Sequence, residues 1–363
     1  ALEPWLHQQN YNIPPGAEPL LRPYVEAGEK FFVAKVDPAK VQFVDGRAAL
    51  SPLRFHYDAD EFSLPIRLGL ANSSGTQDLI VNILAPNQRY EVENYDSVTI
   101  PTNLDVTPET KGHFGEFYAA LFDATVAKHP GAIVTEYAWQ AAYCDPCPGP
   151  ALDDSDILTL GGDVMQNANP AAPARHSAYE YVLPRLHARY GKEIKNDLVF
   201  RVASPIVGGR EFVQTGGQLE QGARPDQINN FQARYAIRHP WTGPIACQSP
   251  HRGVWGGPPA GEAQSGPIAA TNLAFAPRSA TMHLTSWVPA GVPELGVTAT
   301  PAQRPAAPAP PPTTEPVAYT PTKPSQGCGC NGGSSGSALG GALAVGLVLR
   351  RSRRRGARSK QSL

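Results

Sequence analysis

The body of this chain lacks the motifs that usually announce chemistry. It has no GxSxG turn to present a nucleophilic serine, no P-loop to cradle phosphates and no Rossmann glycine fingerprint. His113-Phe-Gly-Glu116 is not the zinc-protease HExxH, because its glutamate stands two positions late and no histidine follows at i+4. No repeat recurs at a solenoid or propeller period. Charge is also scarce, at 17% of residues. The first residues, from Ala1, contain no basic and apolar export signal, so one is expected upstream, removed or part of a longer precursor.

At 363 residues and 41% apolar content, the chain can bury a substantial core. Its 38 prolines and 34 glycines predict many turns, short elements and an extended segment. The formal net charge of −1 conceals an asymmetry. Arg350, Arg351, Arg353, Arg354, Arg355, Arg358 and Lys360 crowd the last fourteen residues without an acid, and setting these seven aside leaves −8 for residues 1–349. An acidic body argues against nucleic acid as a partner.

Leu2, Trp5, Leu6, Leu20, Leu21, Tyr24 and Val25 fall at helical spacings, broken by Pro14-Pro15-Gly16. Strands are expected at Phe31–Val36, Leu53–Tyr57 and Ile66–Leu70. Asn72-Ser73-Ser74-Gly75 should then turn the chain into Leu79–Leu84 as a hairpin, with Tyr90–Tyr95 continuing in that style. Phe114, Phe117, Tyr118, Leu121, Phe122 and Val126 predict an amphipathic helix over 113–128, stopped by His129-Pro130-Gly131. Ile133–Trp139 follows as a strand. A second helix is expected from Ser177 to Tyr190 despite Pro184, then a strand at Leu198–Val202, and Phe231–Arg238 alternates once more. Two helix–strand units beside a meander predict an α+β fold: β-rich antiparallel sheets with two or three packed helices.

The expected ectodomain spans residues 1–290, with order fading after Trp287. A Pro-rich stalk covers 291–327, and nine prolines between Pro301 and Pro324 favour extended polyproline II there. Residues 328–363 hold Cys328 and Cys330 in a glycine-rich setting, the apolar run Ala338–Leu349, and the arginine cluster. Twelve apolar residues are short against the roughly 20 that span a bilayer. The arginines would stay on the cytoplasmic side, so the run reads as a transient membrane anchor of a precursor.

The order of Cys328-Gly-Cys330, a short span and an Arg-rich end resembles the myxobacterial C-terminal sorting signal called MYXO-CTERM. That resemblance implies export, cleavage by a membrane-embedded sorting protease, lipid attachment at Cys328 or Cys330, and display on the outer-membrane surface. In the body, Phe31–Val36, Leu64-Pro-Ile-Arg67 with Leu68-Gly-Leu-Ala-Asn72, Cys144-Asp-Pro-Cys147, Arg185-Leu-His-Ala-Arg-Tyr190 and Arg238-His-Pro-Trp241 leading to Cys247 resemble a bacterial family, domain of unknown function 2330. The likeness extends from about Leu2 to Pro259 and implies no assigned activity.

Three readings compete for Cys144, Cys147 and Cys247. A thioredoxin-like pair needs its first cysteine at a helix N-terminus, and Pro148-Gly149-Pro150 starts such a helix poorly. Zinc bound with His239 or His251 would have one CxxC half only. In an oxidising compartment the expected role is a disulfide staple of open connectivity. Asp153-Asp154-Ser155-Asp156 lacks the glycine and distal glutamate of an EF-hand and reads as a solvated acidic turn. His113 should lie at a helix start with Glu116 in the first turn. Val207-Gly208-Gly209-Arg210 and Trp255-Gly256-Gly257-Pro258-Pro259 read as turns with close backbone approach. No catalytic residue, metal site or cofactor is assigned. The expected function is an exported, envelope-anchored structural or binding ectodomain. The alternative is an extracytoplasmic enzyme with a CxxC thiol–disulfide or metal site.

Overall fold

The computed structural model describes residues 2–34, 37–143, 151–164, 177–210, 219–239, 248 and 283–299, except positions 12, 14, 45, 46, 50, 51 and 74. Its helices are α1 (Leu2–Gln8), α2 (Glu18–Glu26), α3 (Phe114–Lys128) and α4 (Asp154–Ile157). The strands begin with β1 (Gln42–Val44), β2 (Arg47–Ala49), β3 (Ser63–Leu64), β4 (Gln77–Asn82), β5 (Ala85–Pro86) and β6 (Arg89–Val92). They continue with β7 (Ser97–Thr99), β8 (Leu104–Asp105), β9 (Ile133–Gln140), β10 (Tyr181–Tyr190) and β11 (Leu198–Ala203). The last are β12 (Ile206–Gly208), β13 (Ala223–Pro225), β14 (Asn230–Phe231) and β15 (Tyr235–Ala236).

The main sheet runs β13-β12-β14-β9-β10-β4, with β5 also on β10 and β7 on β9. A three-stranded sheet, β3-β11-β6, stands beside it. The fold is α+β, as expected, but its pairing is mixed. The pairs β7–β9, β12–β14 and β8–β15 are parallel, and the others are antiparallel.

Helix α3 forms where its pattern predicts. Phe117, Tyr118, Leu121, Phe122 and Thr125 are buried at helical spacing, and Gly131 takes the left-handed φ of 77° just past the end. That face packs with Ile100, Leu104, Val134 and Phe231 into the larger core. A second core joins Leu70, Ile83, Val92, Leu186, Ala188, Leu198 and Phe200. Packing does not fade at Trp287. Leu284, Trp287, Val288 and Val292 are buried in the α3 core, and Thr107 N–H donates to the Trp287 carbonyl at 2.9 Å.

Five expectations are corrected. Residues 177–190 are not one helix: only Ala178–Glu180 make a 3₁₀ turn, and β10 occupies 181–190, between β9 and β4. Leu186, Ala188 and Tyr190 enter one core while Arg185, His187 and Arg189 each meet a carboxylate, a period of two that outweighs helical propensity. Pro184 is tolerated because along that edge the β5 pairing ends at Val182 and the β4 pairing begins at Arg185. Its carbonyl still accepts from Ile83 N–H at 3.2 Å. Residues 31–34 and 53–57 make no strand, and Phe32, Leu53, Phe55 and Tyr57 are exposed. Arg67–Asn72 is a 3₁₀ helix with Leu70 buried inside it and Ile66 buried at its N-cap. The predicted hairpin is therefore absent, and β4 pairs antiparallel with β10 instead.

One carboxylate fastens that 3₁₀ helix to the rest. Asp197 accepts from the Ile66 and Arg67 amides at 2.8 and 3.0 Å, from Tyr24 Oη at 2.6 Å and from Arg67 Nη2 at 2.7 Å. Burial raises its pKa, but the Arg67 and Tyr24 hydrogen bonds outweigh that and hold the carboxyl below its usual range. Asp197→Ala orphans two amides and a guanidinium, and is expected to cost about 2–3 kcal/mol in urea unfolding. A cost under about 0.5 kcal/mol would mean water replaces the carboxylate.

Candidate functional site

Among the described residues, a dense group of titratable side chains lies where β4, β9 and β10 meet α3. A β-bulge builds it. Leu186 pairs with Thr135 and Arg185 with Tyr137, which leaves Glu136 as the extra residue of β9. Glu136 is 3% exposed. Its Oε2 lies 2.5 Å from Arg185 Nε, and its Oε1 lies 2.8 Å from His187 Nδ1. Further along β10, Arg189 Nε donates to Asp78 Oδ1 of β4 at 2.7 Å, and Arg189 Nη1 donates to Asp123 of α3.

Phe122 of α3 closes the group. Its ring stacks on the His187 imidazole with centroids 3.6 Å apart and planes 12° apart, and the Arg189 guanidinium lies 4.9 Å from its centroid. His187 Nε2 makes no hydrogen bond and lies 3.9 Å from Asp78 Oδ1. Three carboxylates thus face two guanidiniums and one imidazole.

The electrostatics follow from burial and partners. Burial raises the Glu136 pKa, but the His187 contact and the Arg185 charge outweigh it and hold the carboxyl below the usual range. Burial, reinforced by the Glu136 charge, pushes the Tyr118 phenol far above its ordinary value. The acid–histidine–acid line has the composition of a proton relay. Here the ring face lies against Phe122, and among the described residues no serine, threonine or cysteine hydrogen-bonds to His187. Its chemical capacity is to fix three strands and a helix by charge.

Cys144, Cys147, Cys247, Cys328, Cys330 and the cluster Arg350, Arg351, Arg353, Arg354 and Arg355 fall outside the described residues, as do Trp255–Pro259 and residues 300–327 of the expected stalk, whereas its first residues are folded, with a 3₁₀ turn at Pro293–Leu295 and Val292 buried in the α3 core. His113 is the N-cap residue of α3, with Glu116 in its first turn and Oε1 3.3 Å from His113 Nδ1. Asp153 caps α4 by accepting from the Ser155 and Asp156 amides, while Asp156 accepts back from the Asp153 amide at 3.0 Å. Among the described residues, no group of three His, Cys, Asp or Glu side chains is arranged to hold a metal ion.

Sequence reasoning misses Glu136, His187 and their partners because the residue types of 177–190 favour a helix. The signal that could have found them is the alternation of Arg185, His187, Arg189 with Leu186, Ala188, Tyr190.

A family model described as an uncharacterized protein conserved in bacteria (DUF2330) matches residues 1–201. The match contains every residue of the charged cluster as well as Cys144 and Cys147, and it ends before Arg238–Trp241 and Cys247. No curated protein and no solved structure matches the chain.

Proposed function

The chain belongs to this family, DUF2330, and on that premise we propose that it is an exported, surface-displayed protein whose body is a structural or binding ectodomain. The observation that carries the reading is the placement of Glu136, His187 and Arg185. This group of charged side chains is packed between the sheet and α3, with His187 covered by Phe122, so it braces the sheet rather than meeting a substrate. The location rests on the tail, where a Pro-rich stalk, paired cysteines, a short apolar run and an arginine cluster follow one another. Among the described residues no helix is long and apolar enough to cross a membrane, and Ala338–Leu349 lies outside them. A sorting protease would remove that segment after export and leave the body on the outer-membrane surface.

Protease treatment of intact cells tests this directly. The body should be digested before lysis, and protection until the envelope is opened would overturn surface display. Purified protein that turns over peptide, glycan or disulfide substrates would overturn the non-catalytic reading.

The same reading predicts an oxidised staple among Cys144, Cys147 and Cys247. Alkylation of denatured, unreduced protein followed by peptide mapping should find at least two of the three cysteines unalkylated. Three free thiols there would exclude it.

A further inference from the structure

From Pro52 to Phe62 every side chain is exposed, and residues 52–59 contain no helix, turn or bend. Leu53, Phe55 and Tyr57 are 67%, 55% and 68% exposed, an apolar side chain at every second position. Arg54, His56 and Asp58 alternate with them. This is the pattern of a strand with one apolar face. Yet among the described residues the backbone of 52–59 pairs with no strand. Phe32, itself 69% exposed, meets Phe55 edge-on at 5.0 Å and widens the apolar surface. An unpaired segment with a strand's alternation and an apolar face is able to pair with a further strand.

We propose that this segment pairs with the same segment of a second copy, antiparallel about a two-fold axis at His56. The argument is self-complementarity of charge. In that register Arg54 faces the partner's Asp58 and Asp58 faces the partner's Arg54, so opposite charges meet twice. Phe55 meets the partner's Tyr57, and Tyr57 the partner's Phe55, which adds two aromatic cross-strand pairs. A one-residue slip sets charged positions against apolar ones and loses both sets, so the register is specified. Arg54 also pairs with Asp163, but those side chains are 47% and 48% exposed, and so solvated a pair leaves the guanidinium free to meet another carboxylate.

Sedimentation equilibrium on the full chain tests the proposal through four proteins: the parent, Arg54→Asp, Asp58→Arg, and the combined exchange. All changed positions are exposed, so the fold is expected to persist, and circular dichroism checks it. The parent should form a reversible dimer. Each single reversal acts twice across the axis and should weaken dimerisation by about tenfold. The combined exchange restores opposite charges and should return the dimer to within about threefold of the parent. A parent that stays monomeric, single reversals that dimerise like the parent, or a combined exchange that fails to recover would each overturn the pairing. Association through the apolar tail predicts four indistinguishable proteins.

Discussion

Glu136→Gln is expected to destabilise the protein by about 3 kcal/mol, because it leaves the Arg185 guanidinium half-buried without its counter-charge. The loss should be strongly coupled. Arg185→Met alone leaves the Glu136 charge stranded at 3% exposure, whereas the two changes together remove both charges. A double-mutant cycle in urea should therefore show the pair costing less than the sum of the singles by at least about 1 kcal/mol. Additive losses would mean that Glu136 and Arg185 act independently. pH provides a second readout. The folded-state pKa of Glu136 lies below its ordinary value of 4.5, so its contribution is fully present above that value and is lost as pH falls below it. Asp197, also held below its ordinary value of 3.8, adds to the loss at slightly more acidic pH. The parent should therefore lose stability as pH falls below about 4.5, and Glu136→Gln should show a shallower slope there.

Gly209→Ala is expected to cost about 4 kcal/mol or more, enough to abolish a stable fold in a marginal domain. Two causes add. Gly209 adopts φ of 68°, and a Cβ there would overlap the Gln232 carbonyl oxygen and meet Thr102 Oγ1 at 2.7 Å. Neither neighbour yields cheaply, since Thr102 Oγ1 donates to the Gln232 carbonyl at 2.5 Å and accepts from the Arg234 amide at 2.9 Å. Gly222 is the control. It has a similar φ of 72° but open space where an added methyl group would stand, so Gly222→Ala should cost about 1–2 kcal/mol from conformation alone. Equal losses at the two positions would show that backbone conformation, not the crossing at Gln232, decides.

These residues are unevenly legible in the sequence. Helix α3 and strand β9 are readable because each carries its own periodicity, and the helix its own stop signal, His129-Pro130-Gly131. The close approach at Gly208-Gly209 is also readable, since paired glycines in a turn point to crowded backbone, and the structure places it where β12 ends. Strand β10 is not, because Arg-Leu-His-Ala-Arg is built from good helix formers, and only its partners β9 and β4 decide the outcome. The bulge at Glu136 depends on a pairing 51 positions away, as its contact with His187 shows, and no local pattern encodes that. At Leu53–Tyr57 the alternation is real, but no described strand adjoins it. A strand pattern states what a segment is able to pair with, and the partner has to come from elsewhere.

The proposed location of this protein depends on its last thirty-six residues, from Cys328 to Leu363. The direct test is the mass of the C-terminal peptide of the protein isolated from its own cells. The proposal predicts a mature chain that ends near Cys330, without the apolar run and the arginine cluster, and with a lipid on Cys328 or Cys330. A chain that ends on an intact Leu363 without added mass would contradict it.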